Sequence, residues 1–129
     1  MKKVLLAAFL SAGAVHAQPT ACAHDEAQAA YQTGLKYRNG MDVPRDAALA
    51  VHWFGNAAAC QVPAAMFTLS NMLAAGEGVA ADAAQARRWL ETAAALGLPE
   101  ALQQLALTEP DPRKAGLLMR QAAHALQHR

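Results

Sequence analysis

The sequence predicts an all-α protein, an α/α solenoid in which antiparallel helix pairs stack along one axis. Three observations carry the prediction. The stretches GMDVPRDAALAVHWFGNAAACQ (40–61) and GEGVAADAAQARRWLETAAALG (76–97) repeat one pattern at an offset of 36 residues. Both tryptophans of the chain, Trp53 and Trp89, fall at that same offset, as do Asp46/Asp82, Ala50/Ala86 and Pro63/Pro99. Each copy also carries its own punctuation, a glycine that ends one helix and an aspartate that starts the next. A fixed period in the thirties is the mark of a stacked helical array, because each unit leaves an apolar face for its neighbour to cover.

The chain begins MKKVLLAAFLSAGAVHA, with Lys2 and Lys3, an apolar run to Val15, and small residues at Val15 and Ala17. This is the layout of a secretory signal peptide, residues 1–17, and the run is too short to span a bilayer as a helix. A lipid anchor on Cys22 is not expected, since Pro19-Thr20-Ala21 lacks the apolar residue such a site needs. Residues 18–129 then form a single domain that is periplasmic or secreted, with no membrane span after cleavage. Loss of Lys2 and Lys3 takes the 11 basic side chains to nine, against 10 acidic ones. No basic stripe is left to form an electrostatic footprint for nucleic acid.

Each unit reads as a helix A and a helix B. The first helix A runs from about His24 to Arg38 and the second from about Ala64 to Ala75, ending at Gly40 and Gly76. Asp46 and Asp82 follow short loops and stand at N-cap positions, with Gln85 placed to complete a capping box. From each aspartate, alanine at +4, tryptophan at +7 and alanines at +11 to +13 lie on one helical face. The tryptophans are expected to fill the gap between units. Gly34, Ser70 and Ala106 share one position of helix A, and small residues there let helix backbones approach closely. Pro63 and Pro99 are expected to close the units.

A third unit is shortened. Ala29, Ala65 and Ala101 keep the 36-residue offset, but Asp111 comes seven residues early. Asp111-Pro112 is a strong helix start, and Ala115, Leu118, Ala122 and Ala123 resume the pattern of helix B. The units are about 29–64, 65–100 and 101–129, the last having the form of a capping repeat.

The pattern Ala29…Gly34…Tyr37…Gly40…Val43…Asp46…Ala50…Trp53…Ala57-Ala58 resembles the Sel-like repeat, a relative of the tetratricopeptide repeat. Residues Ala65…Leu69…Gly76-Glu77-Gly78-Val79…Asp82…Ala86…Trp89…Ala93-Ala94 resemble it still more closely. Unit one departs at Met41-Asp42, where unit two has its second loop glycine, so the shape of that loop is in question. The resemblance implies a protein-binding or scaffolding role, and helix A faces that line a groove. In that register the groove shows Gln28, Tyr31, Leu35, Arg38 and Asn39, then Phe67 and Asn71, then Gln103 and Leu107. Tyr31, Leu35, Phe67 and Leu107 would form an apolar stripe, with Arg38, Asn39 and Asn71 holding a partner's backbone or carboxylate. A short groove of this kind suits a peptide or a helix of a protein partner, bound by a monomer.

Two cysteines, Cys22 and Cys60, remain after cleavage. In an oxidising compartment such a pair reads as a structural disulfide, and there is no C-x-x-C redox motif. The antiparallel pairing of helices brings the start of the first helix and the end of the second to one end of the hairpin. A Cys22–Cys60 bond is therefore expected, clipping the unit that lacks a preceding neighbour.

Enzymatic chemistry finds little support. Ser70 is the one serine after the signal and sits at the helix-packing position, so no serine nucleophile is expected. Paired cysteines cannot serve as nucleophiles. His124 and His128 have chelating spacing on one helix but no third ligand near them in the sequence, so no metal is expected. No cofactor-binding motif is present. The expected function is an exported interaction module or adaptor. The alternatives are a cell-envelope enzyme acting on peptidoglycan or a β-lactam, to which some relatives have been linked, and a purely structural repeat protein.

Overall fold

The computed structural model describes residues 22–129, which fold into six helices with no strands among them. The expected signal peptide, residues 1–17, lies outside the described residues. The helices are α1 (His24–Asn39), α2 (Ala47–Ala59), α3 (Pro63–Ala75), α4 (Ala83–Ala95), α5 (Pro99–Thr108) and α6 (Pro112–Gln127). They form three helix pairs, α1 with α2, α3 with α4 and α5 with α6, joined through α2–α3 and α4–α5 contacts. The third pair has a shortened first helix, where the sequence lacks its loop glycine.

The helix boundaries follow from backbone chemistry. Gly40 and Gly76 adopt left-handed conformations, with φ of 69° and 71°, and their N–H groups donate to the carbonyls of Lys36 and Met72. These bonds satisfy carbonyls that the last helical turn leaves without a partner. Asp46 and Asp82 accept from the N–H of Leu49 and Gln85, each at 3.0 Å, and cap the N-termini of α2 and α4. Asp111 accepts from Arg113 N–H at 2.9 Å and caps α6. The backbone bonds Asp46 N–H to Tyr37 and Asp82 N–H to Leu73, both 2.9 Å, tie the two loops back in the same way. The sequence repeat is thus a repeat of hydrogen bonds.

Two expectations are corrected by the packing. Pro63 and Pro99 open α3 and α5 at the first helical turn, where a missing N–H costs nothing, and so begin units instead of closing them. Trp53 and Trp89 are only half-buried; the side chains that fill the interior are Phe54 and Leu90, one position later. The reason lies at Gly34. A Cβ there would stand 2.7 Å from the ring carbons Cδ1 and Cε1 of Phe54, so the bare glycine backbone is the surface on which that ring rests. One repeat later, Ser70 occupies the same position, and its hydroxyl donates to the carbonyl of Ala86 at 2.7 Å, pinning α3 to α4. The core continues through Met66, Leu69, Met72, Leu73, Leu102 and Leu105 between alanines at the helix crossings.

The two glycine loops also stack. Gly78, with φ of 72°, lies against the start of α2, where a Cβ would meet the Ala47 carbonyl carbon at 2.4 Å. Asp42 holds the matching place in unit one with φ of 63°. The loop conformation is therefore the same in both units. A side chain is tolerated at Asp42, which is exposed, and aspartate tolerates the left-handed region better than most residues.

Candidate functional site

The A helices present the longest sequence-derived set of candidate residues, and the structure divides that set. Tyr31, Leu35 and Arg38 of α1 meet Phe67, Ala64 and Thr68 of α3 around a groove of about 410 Å³. Leu98 and Glu100 at the start of α5, together with Arg129, complete its wall. The floor is apolar and half-buried, which leaves Phe67 and Leu35 in contact with the core while part of each faces outward. Tyr31 leans on Phe54 with ring centroids 5.8 Å apart, so the groove floor rests directly on the core.

Other members of the set lie elsewhere. Asn39 lines an adjoining polar notch with Arg38, Arg45 and Glu77. Asn71 accepts from the side-chain amide of Gln104 at 3.2 Å, linking α3 to α5. Gln28 is exposed on α1, and Gln103 and Leu107 are exposed on α5 and do not line the groove. Leu107, at 77% exposure, is the most exposed large apolar side chain among the described residues. The early end of α5, just past Leu107, removes the helical turn that would have extended the groove wall.

Two ion pairs frame the apolar floor. Arg38 donates to both carboxylate oxygens of Glu77, through Nε and an Nη nitrogen, each at 3.1 Å. Arg45 stands 3.7 Å from the same carboxylate and donates from Nε to the Arg38 carbonyl at 2.9 Å. The hydrogen bond from Arg38 holds the Glu77 carboxyl below its ordinary range, with the charges of Arg38 and Arg45 acting in the same direction. Arg129 likewise donates to both oxygens of Glu100, at 2.7 and 2.8 Å, and lowers that carboxyl. Sequence reasoning did not find Glu77, Leu98, Glu100 or Arg129. Each pairs with residues 29 to 39 positions away or joins the groove from another unit, and no local pattern records such contacts.

The cysteines meet at one end of the first helix pair. Cys22 and Cys60 are joined in a disulfide with Cα atoms 5.1 Å apart, at a sequence separation of 38 residues. The bond links the entrance of α1 to the end of α2. The rings of His124, on α6, and His128, at its C-cap, have centroids 4.4 Å apart and planes tilted by 55°. Among the described residues, no group of three His, Cys, Asp or Glu side chains is placed to hold a metal ion. No helix among them is long and apolar enough to cross a membrane.

The comparisons with known proteins agree with this architecture. The Sel1 repeat family model matches residues 27–61, 63–98 and 101–125, one match for each helix pair. A Sel1 repeat protein from Oxalobacter formigenes superposes with a TM-score of 0.74 at 25% identity, over 77% of this chain and 43% of that one. The antigen c5321 of uropathogenic Escherichia coli, described as protective and as displaying an SLR fold, superposes with a TM-score of 0.70 at 32% identity. That match covers 76% of this chain and 22% of c5321. The chain thus spans less than half the length of either neighbour. No curated protein sequence matches it. Three repeat matches, three capped helix pairs and the 36-residue spacing place the chain in the Sel1 repeat family.

Proposed function

We propose that the protein is an exported interaction module that takes a short peptide or helix of a protein partner into the groove between α1 and α3. Sel1 repeats generally serve as protein–protein interaction modules and are mainly non-enzymatic scaffolds. The observation that supports the reading here is the groove itself. Tyr31, Leu35, Phe67 and Leu98 offer a half-buried apolar floor, and Arg38 and Glu100 stand at its edges. Half-buried aromatic and aliphatic side chains flanked by charge are suited to anchor one or two apolar side chains of a partner. The signal-like N-terminal sequence and the Cys22–Cys60 bond support an exported setting. The protein acts as a monomer in this reading, with Gln28, Asn39, Asn71, Gln103 and Leu107 peripheral to the anchoring floor.

The test is paired binding and melting. A partner recovered from periplasmic extract is titrated against the wild-type protein and against Phe67→Ala and Tyr31→Ala. Loss of at least tenfold in affinity, with folding retained by far-UV circular dichroism, is the expected result. Unchanged affinity with strongly lowered melting would place both rings in a purely structural role. Turnover of a muropeptide or a β-lactam by the purified protein would overturn the reading in favour of an envelope enzyme.

A further inference from the structure

The third unit carries a second concavity, on the side formed by the B helices. It measures about 520 Å³ and lies where the end of α4, the start of α5 and the second half of α6 converge. Ala94, Leu102 and Ala125 give it an apolar floor, and Arg120, Gln121 and His124 stand at its rim. The volume falls within the range of small-molecule sites, which are apolar clefts with a few directed polar groups.

The charge at this rim is one-sided. Helix α6 carries Arg113, Lys114 and Arg120 and no acidic side chain between Pro112 and Gln127. Among the described residues, none of these three cations forms an ion pair. The acids nearest in sequence are engaged elsewhere: Asp111 accepts from Arg113 N–H and Glu109 from Asp111 N–H at the start of α6, while Glu91 pairs with Arg87 and Glu100 with Arg129. The repeat does not require these cations. Counted from the capping aspartate, Arg120 matches Gly55 and Glu91 of the earlier units, and His124 matches Ala59 and Ala95. Glycine, glutamate or alanine at those positions builds the same helix pair. Arg120 is therefore a feature of this unit alone, set at the mouth of an apolar hollow.

We infer that this hollow binds a small aliphatic carboxylate, with the chain on Ala94, Leu102 and Ala125 and the carboxylate at Arg120. A guanidinium is the side chain best suited to grip a carboxylate through two parallel hydrogen bonds. His124 and Gln121 supply further donors on the same rim. An alkylammonium ion would meet repulsion there, and an alkanol would leave the guanidinium without a counter-charge. This site is separate from the α1–α3 groove and does not depend on its use.

Octanoate is the probe, titrated calorimetrically into the purified, disulfide-intact protein. A saturable single site with Kd on the order of 1 mM or tighter is expected for so small a ligand. Octan-1-ol and octylammonium should bind at least tenfold more weakly, and raised salt should weaken octanoate. Arg120→Gln should reduce octanoate affinity at least tenfold without lowering helicity, because the side chain is exposed. Ala125→Phe, which fills the hollow, should abolish binding while circular dichroism remains helical. Equal binding of octanol, indifference to Arg120→Gln, or absence of saturation would each overturn the inference. A short apolar peptide binding through its C-terminal carboxylate at least tenfold more tightly than octanoate would overturn it in favour of a peptide end.

Discussion

Replacing Gly78 with alanine tests how the units are held together. Two costs act at this position. The φ of 72° places the residue in the left-handed region, which costs an L-residue about 1–2 kcal/mol. The new methyl would also meet backbone, with Ala47 C and O at 2.4 and 2.5 Å and Ala48 N at 2.8 Å. Backbone cannot rotate away as a side chain can, so the loop must lift from α2, at a further cost of about 1–3 kcal/mol. Gly78→Ala should therefore destabilise by about 2–5 kcal/mol. Gly76→Ala is the matched control. Its φ is 71°, but its Cβ would lie 3.4 Å from the Ala81 methyl, an easily adjusted contact, so it should lose only the conformational part, about 1–2 kcal/mol. Urea unfolding followed by circular dichroism reads both values. The difference between the variants isolates the stacking of the second loop on the first unit. Equal losses for Gly76→Ala and Gly78→Ala would refute the claim that this contact joins the units.

Two further outcomes follow from the core and the ion pairs. Phe54 is fully buried on Gly34 and Trp53 is half-buried, so Phe54→Ala should cost about 3–5 kcal/mol and Trp53→Ala distinctly less, as measured by urea unfolding. The reverse order would return the tryptophans to the interior. Glu77 titrates below its ordinary value of 4.5 in the folded protein because Arg38 bonds its ionised form. A depressed folded value means that its contribution is complete above the unfolded value and is lost as pH falls through the folded one. Unfolding free energies measured from pH 7 down to pH 3 should fall less steeply for Glu77→Gln than for the wild type, and identical slopes would show that the pair contributes nothing.

The repeat was legible because its signals are local. A glycine that must turn left-handed, an aspartate that must accept an N–H, and alanines at helical spacing each act within one or two turns. Together they determined six helices, their order and the shortened third unit. The Cys22–Cys60 juxtaposition followed from the same logic, since antiparallel pairing alone brings those two positions to one end. The choice between Trp53 and Phe54 as the buried ring was not local. The two are adjacent and lie about 100° apart around α2, so the rotation of the helix decides which one faces Gly34. That rotation is set by how α1 and α2 pack. The groove shows the same division. Tyr31, Leu35, Arg38 and Phe67 could be named from register, because a repeat carries positions from one unit to the next, whereas Ala64 and Thr68 were not. Glu77, Glu100 and Arg129 could not, because an ion pair across 29 to 39 residues exists only once the units have stacked. The sequence alone determined the helices and the period at which they recur. The tertiary structure decided which faces meet and which charges are left over, because both depend on distances between side chains that no local rule records.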